Sequence, residues 1–197
     1  MAGMADAATA GGTASREQLI FSLYEAAELE HNLMCTYLYA AFSLKDGEAE
    51  GLEAEEAEAV KRWRQAIIEV AIEEMGHLTA VWNITSALGG SPRFGRMNFP
   101  LDIGYLPAGI VVKLAPFNAR TLQHFIHLER PVGSTEPDGE GYSIERNFLR
   151  GSQSARLTPM PMNYETVGEF YETISTQLKA FSEQMGENAA FIGERAL

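Results

Sequence analysis

Apolar residues recur along much of the chain at the three-and-four spacing of an α-helix. Leu19, Leu23, Ala26, Leu33, Met34 and Tyr37 fall on one stripe, which predicts a long amphipathic helix from about residue 16 to about residue 44. Ser15-x-x-Gln18 forms a capping box at its start, and Lys45-Asp46-Gly47 ends it. A second stripe, made of Val60, Trp63, Ile67, Val70, Ala71, Leu78, Val81, Thr85 and Leu88, predicts a helix over about 60–88, stopped by Gly89-Gly90 and Pro92. Residues 91–117 carry four prolines and three glycines and read as a long irregular connection. Asn118 caps a shorter helix that runs to Glu129 and is ended by Arg130-Pro131. After another Pro- and Gly-rich loop to about residue 163, Val167, Ile174, Leu178, Phe181, Met185 and Ile192 predict a fourth helix from Tyr164 to about residue 193. The expected class is all-α: a four-helix bundle with long crossover connections. Residues 1–14, mostly Ala, Gly, Met and Thr, are expected to be a disordered tail, and 15–197 one domain.

Composition narrows the possible functions. No run approaches the roughly 18 to 20 apolar residues of a membrane-spanning helix, and the first residues lack the basic start and apolar centre of a signal peptide. A single cysteine, Cys35, excludes an internal disulfide framework and fits a reducing compartment, so the cytoplasm is expected. The net charge is −12, and seven of the 27 acids lie in one run from Asp46 to Glu58. Binding to phosphate backbones needs clustered bases, so neither nucleic acid nor a membrane is an expected partner. The acidic run itself reads as a solvated surface.

Other acids stand where a core is expected. At about 100° per residue, Glu30 falls among Leu23, Ala26, Leu33, Met34 and Tyr37, and Glu74 among Ile67, Val70, Ala71, Leu78 and Val81. His77 lies one turn beyond Glu74, and Glu129 follows Leu122, Phe125 and Ile126. Three carboxylates are therefore expected in one hydrophobic interior. A buried carboxylate must lose its charge, find a cation or bind a metal, and oxygen ligands with an imidazole suit iron or manganese. With helices of about 16–44 and 60–88, Glu30 and Glu74 each lie about 14 residues, or roughly 21 Å, from the connecting end. Antiparallel neighbours then meet at these two acids, and residues 46–59 form a loop or separate turn. Glu74-Met75-Gly76-His77 has the Glu-x-x-His spacing of dimetal bundles, whereas Glu28 to His31 is read as accidental. Glu165, Glu169 and Glu172 share a face roughly opposite Ile174, Leu178 and Phe181. Phasing makes that face a solvent-facing row, with a ligand role for Glu169 left open. His31, at the stripe's edge, reads as a packed histidine, and His124 and His127 as surface groups or groups behind the ligands.

Taken together, ELEHNLMCTYLYAAFSL and IEEMGHLTAVWNITSALGG resemble the ferritin-like superfamily. LGGSPRFGRMNFP, LAPFNARTLQHFIHLERP and YETVGEFYETI resemble the ferritin-like domain of the iminophenylpyruvate dimer synthase type. The resemblance covers about residues 16–193. It implies a carboxylate-bridged dimetal site, usually of two iron ions, with manganese as the other choice. It places Glu30, Glu74, His77 and Glu129 as ligands and puts the last helix's Glu-x-x-His at Glu169 and position 172, where this chain has Glu172. That departure removes one imidazole from the second metal. The pigment-forming relatives also carry a large additional region that is absent from this sequence.

The resemblance implies an oxidoreductase that activates dioxygen or peroxide on a small organic substrate of secondary metabolism, such as an amino-acid-derived imine or enamine. The connections 91–117 and 131–163 would wall its pocket, and Tyr37 is a candidate donor of a hydrogen bond or an electron. Two alternatives stand beside it. One is an iron-handling protein with ferroxidase or storage activity, against which the long loops argue. The other is a non-catalytic interaction module whose core acids are satisfied by arginine or shared protons. A homodimer is the assembly considered for the enzyme, whereas storage needs a shell-like oligomer.

Overall fold

The structure, a computed structural model, describes residues 13–93, 111–142, 164 and 166–193. Among them lie helices α1 (Arg16–Phe42), α2 (Ala54–Ala87), α3 (Ala119–Leu128), α4 (Val167–Met185) and α5 (Glu187–Ala190), with a 3-10 turn at Glu48–Glu50. The described residues include no strand. Residues 1–12 of the expected tail and most of the two long connections fall outside them, and Ala14 packs against the core.

Local signals set most of the ends. The Ser15 hydroxyl accepts from the Gln18 N–H while the Gln18 side chain accepts from the Ser15 N–H, the reciprocal capping box expected at the start of α1. Asn118 Oδ1 accepts from the N–H groups of Arg120 and Thr121. Two boundaries differ from the sequence reading. The helix expected over 60–88 begins six residues earlier, at Ala54, where Glu56 accepts from the Glu53 N–H at 2.9 Å. The helix expected over 164–193 is shorter: Thr166 caps α4, and Gly186, at φ 76°, separates it from α5. A residue with a side chain rarely adopts that conformation.

Two arginines fix the antiparallel pairing of α1 and α2. At one end Arg16 Nη1 donates to the carbonyls of Leu88 and Ala190 at 2.8 and 2.5 Å, and Nη2 to Ala189 at 2.5 Å. At the other, Arg64 Nη2 donates to the carbonyls of Leu44 and Lys45, and Nη1 to Asp46. Each guanidinium satisfies carbonyls that a helix end leaves without a partner. α1 and α2 share the most extensive helix–helix interface, with Leu19, Leu23, Ala26, Ala27, Leu33, Ile67, Ala71, Leu78 and Val81 buried together. Trp63, Met185 and Ile192, which fall on the predicted stripes, are instead 51%, 47% and 62% exposed.

α3 and α4 lie along different halves of α1, both antiparallel to it. Phe117 N–H donates to Ser43 Oγ and the Phe125 ring meets Tyr37 edge-on at 4.6 Å, so α3 covers the C-terminal half. Tyr171 reaches Glu30 and the Arg16 guanidinium lies 5.3 Å from the Phe181 ring, so α4 covers the N-terminal half. The end of α3 therefore meets the start of α4 beside the middle of α1. There Gly168 is packed so closely that a Cβ would stand 3.0 Å from a Val132 methyl.

Behind α3, residues 131–142 are tied down by a buried polar cluster. His124, fully buried, places Nδ1 2.7 Å from Asp138 Oδ1 and stacks on Tyr142 at 3.9 Å. Burial works against the Asp138 carboxylate, but the His124 ring and the Gly139 N–H outweigh it and hold its pKa below the ordinary value. Gly139 approaches α3 where a Cβ would stand 2.1 Å from the Arg120 carbonyl oxygen, so no larger residue fits. The reading of His124 as a surface or outlying group is thus corrected: its polar partner sits in the loop, 14 residues away, where helix phasing has no reach.

Phe170, fully buried and stacked on Tyr164 at 4.3 Å, anchors α4. Phe170→Ala is expected to lower the unfolding free energy by about 3–5 kcal/mol, read from urea denaturation followed by circular dichroism. A loss below about 1 kcal/mol would mean that α4 is not seated as described.

Candidate metal centre

The middle of α1 and the middle of α2 present acids to one another. Glu30 is 1% exposed and Glu74 is 4% exposed. His77 follows Glu74 by three residues, which keeps both on one side of α2. Its Nδ1 lies 3.0 Å from Glu74 Oε2 and 3.4 Å from Glu30 Oε2. One ligand atom from each of Glu30, Glu74 and His77 can be chosen so that all lie within 4.8 Å of one another. The expected depth match is met by a different route. Glu74 is 20 residues from the start of α2 and Glu30 is 12 from the end of α1. The two acids meet because α2 overshoots its neighbour by about eight residues, or roughly 12 Å. Consistent with that overshoot, most of 53–59 is exposed.

Two tyrosines brace the acids. The Tyr171 hydroxyl, from α4, donates to Glu30 Oε1, and the Tyr37 hydroxyl, from α1, donates to Glu129 Oε1 at the end of α3. Glu30 Oε2 has no hydrogen-bond partner, its 3.4 Å separation from His77 being too poorly aligned to count as one. The site is closed below and open above: Glu30 and Glu74 are buried, while Glu129 is exposed and the His77 side chain is 60% exposed. This corrects the expectation that all three carboxylates point into the interior. Glu129 is the residue that ends α3, so it stands at the rim instead of on a buried turn.

Burial is the largest cause of the electrostatic perturbation. It raises the pKa of Glu30, against which hydrogen bonds with Glu74 and Tyr171 work. It pushes Glu74 up to about 9, helped by the hydrogen bond and the charge of Glu30. Tyr37 and Tyr171 are raised as well, by burial and by Glu129 and Glu30 respectively. Without a cation, then, Glu74 keeps its proton at neutral pH. Arg64 and Arg120 pair elsewhere, with Asp46 and Glu140. A metal ion fits this donor set: two carboxylates that must shed a proton, an orphaned oxygen and an imidazole.

A family model described as Ferritin-like matches residues 23–196, a stretch that includes Glu30, Glu74, His77, Glu129 and Tyr171. The chain belongs to the Ferritin-like family. It is 35% identical over 141 residues to the 2-imino-3-(indol-3-yl)propanoate dimerase of Chromobacterium violaceum. That match takes in 59% of this chain but 13% of the relative, so the chain spans only a small part of the relative's length. No solved structure matches it significantly.

Within this Ferritin-like chain the expected ligand residues divide. Glu30, Glu74 and His77 come together, and Glu129 stands close enough for its charge to raise both acids. Glu169 and Glu172 do not join them. With Thr173, Thr176 and Gln177 they line an open depression of about 400 Å³ on α4, the side that phasing marked as solvent-facing. Tyr37, two turns along α1 from Glu30, bonds Glu129 at the end of α3 and not Glu30. His31 lies 3.8 Å from Cys35 Sγ. Sequence reasoning missed Tyr171. Its signal was available: it flanks Phe170 and Ile174 on the buried stripe, where a phenol needs a partner.

The folded metal-free protein holds a proton on Glu74 that the unfolded chain releases near the ordinary value of 4.5. Its stabilising contribution is complete below that pH and is lost as pH rises through about 9. Unfolding free energy of the metal-free protein is therefore expected to fall between pH 5 and 9, by about 1.4 kcal/mol per pH unit for this one proton. Urea titrations across that range check this, with Glu74→Gln flattening the slope. Stability that rises with pH, or a slope unaffected by the substitution, would contradict it.

Proposed function

We propose that this chain is a metal-dependent oxidoreductase acting on a small amino-acid-derived imine or enamine. The observation that carries the reading is the buried pair Glu30 and Glu74, with one carboxylate oxygen unpartnered and His77 beside it. Such a pair is costly when left charged and becomes a strong ligand set once a cation replaces the proton on Glu74. Iron or manganese held by Glu30, Glu74 and His77, with Glu129 at the rim, would supply electron exchange with dioxygen or peroxide.

The chain's own residues prepare the site for such an ion. Tyr171 holds one oxygen of Glu30 and leaves the other aimed at Glu74 and His77. Tyr37 fixes Glu129. Leu122 and Ile126 are 43% and 45% exposed and share the α3 face that leads to Glu129, an apolar approach suited to an aromatic imine. The substrate class rests on the resemblance to the indole-imine dimerase and on this apolar approach. Dioxygen or peroxide as co-substrate and a homodimeric assembly belong to the same proposal.

A non-catalytic module is favoured by burial itself, which raises Glu74 to about 9, so that a neutral Glu74 already meets part of the acids' need. The two readings part on metal affinity. Fe(II) or Mn(II) at 100 times its Kd is expected to stabilise the protein by about 2.7 kcal/mol, with a matching rise in Tm. Binding is expected to release about one proton per chain at pH 7, measured calorimetrically in buffers of different ionisation heat. Glu74→Ala should abolish the shift and Glu129→Ala should weaken it. An unchanged Tm with either metal would leave the module reading in place. Oxygen uptake with an imine generated from an aromatic amino acid then tests the substrate class.

A further inference from the structure

We infer that the centre takes one metal ion and not two, because α4 meets it with the Tyr171 phenol where a dimetal site needs a second pair of ligands. The inference rests on the metal-binding reading above. A dimetal bundle site draws a single carboxylate from each of two helices and a Glu-x-x-His pair from each of the other two. Here Glu74 and His77 are one such pair, and Glu30 and Glu129 are the single carboxylates. Among the described helices, the remaining pair has to come from α4.

The packing of α4 forbids it. Phe170, Ile174 and Phe181 are buried and fix the rotation of the helix, and that rotation delivers Tyr171 to Glu30. Glu172 and Glu169 stand about 100° and 160° around the helix from Tyr171. Bringing either inward would turn Phe170 and Ile174 out of the core. Glu172 is exposed, and Glu169 shares its depression on the outer side.

Imidazoles are equally limiting. The chain has four histidines, and all four are among the described residues. His124 is engaged by Asp138 and Tyr142 inside the loop cluster. His127 Nδ1 lies 2.8 Å from the Glu136 carbonyl oxygen, and His31 lies beside Cys35. Only His77 faces the acids. For a second ion the described residues leave Glu129 alone, and one of its oxygens is held by Tyr37. Tyr171 is thus a positioning residue: it holds Glu30 so that the free oxygen Oε2 faces Glu74 and His77.

Chelator-stripped full-length protein, titrated with Mn(II) under equilibrium dialysis, tests this. Subtracting the count for Glu74→Gln removes ions held by the acidic surface. One Mn(II) per chain, with the electron paramagnetic resonance spectrum of a magnetically isolated ion, is expected. Glu169→Gln combined with Glu172→Gln should change neither the count nor the Kd. Tyr171→Phe should keep the count at one, weaken binding by about tenfold or more, and alter the zero-field splitting. Two ions per chain with a spin-coupled spectrum, or loss of an ion on changing Glu169 and Glu172, would overturn the inference and leave the metal-binding reading standing. No difference in count between the native chain and Glu74→Gln would overturn both. An unchanged Kd and spectrum for Tyr171→Phe would remove Tyr171 from the site.

Discussion

Two carboxyl groups facing each other inside an apolar helix pair are the constraint around which this molecule is arranged. Glu30 and Glu74 occupy positions that the packing of α1 on α2 would give to Leu or Ala, and each is almost wholly removed from water. Neither can be a free anion there at acceptable cost. The surroundings answer with a proton held on Glu74, a phenol on one oxygen of Glu30, an imidazole alongside and one oxygen left open. The first three ease the burial of the pair in the absence of a cation, and the last is what the proposed metal ion would use.

The position of the site follows from the helix lengths. α3 and α4 are too short to run the length of α1, so they divide it, and their junction falls at Glu30. Glu129 arrives because it caps the C-terminal end of α3, and Tyr171 because it lies in the second turn of α4. A junction between helix ends also leaves the upper side unsealed, with His77 and Glu129 in contact with solvent. The lower side is closed by the Tyr37 and Phe125 rings on one flank and Phe170 on the other.

Much of this was legible in the order of residues. The 3.6-residue period placed Glu30 and Glu74 inward without any knowledge of their partners, and Ser15, Asn118 and Gly89 marked helix ends through local chemistry. The resemblance to ferritin-like domains, carried by the stretches around Glu30, Glu74 and His77, agrees with the family match over 23–196. What failed was whatever depends on contacts between elements. The acidic stretch before Val60 reads as loop because its residues are polar, yet 54–59 extend α2 into solvent, where a polar helix has no cost. Gly186 lies within a run of apolar spacing, and only its backbone conformation reveals the break. The family pattern pointed to Glu169 and Glu172, whereas the phase of α4, set by Phe170 and Ile174, turned Tyr171 inward instead. His124 looked peripheral because its partner Asp138 belongs to a loop that no period describes.

The account depends on a cation being the group that Glu30 and Glu74 are built to receive. Crystals of protein loaded with Fe(II) or Mn(II), measured at the metal absorption edge, address this directly. The expected result is an anomalous peak bounded by Glu30, Glu74 and His77. Metal peaks confined to the surface acids, with none between Glu30 and Glu74, would contradict it.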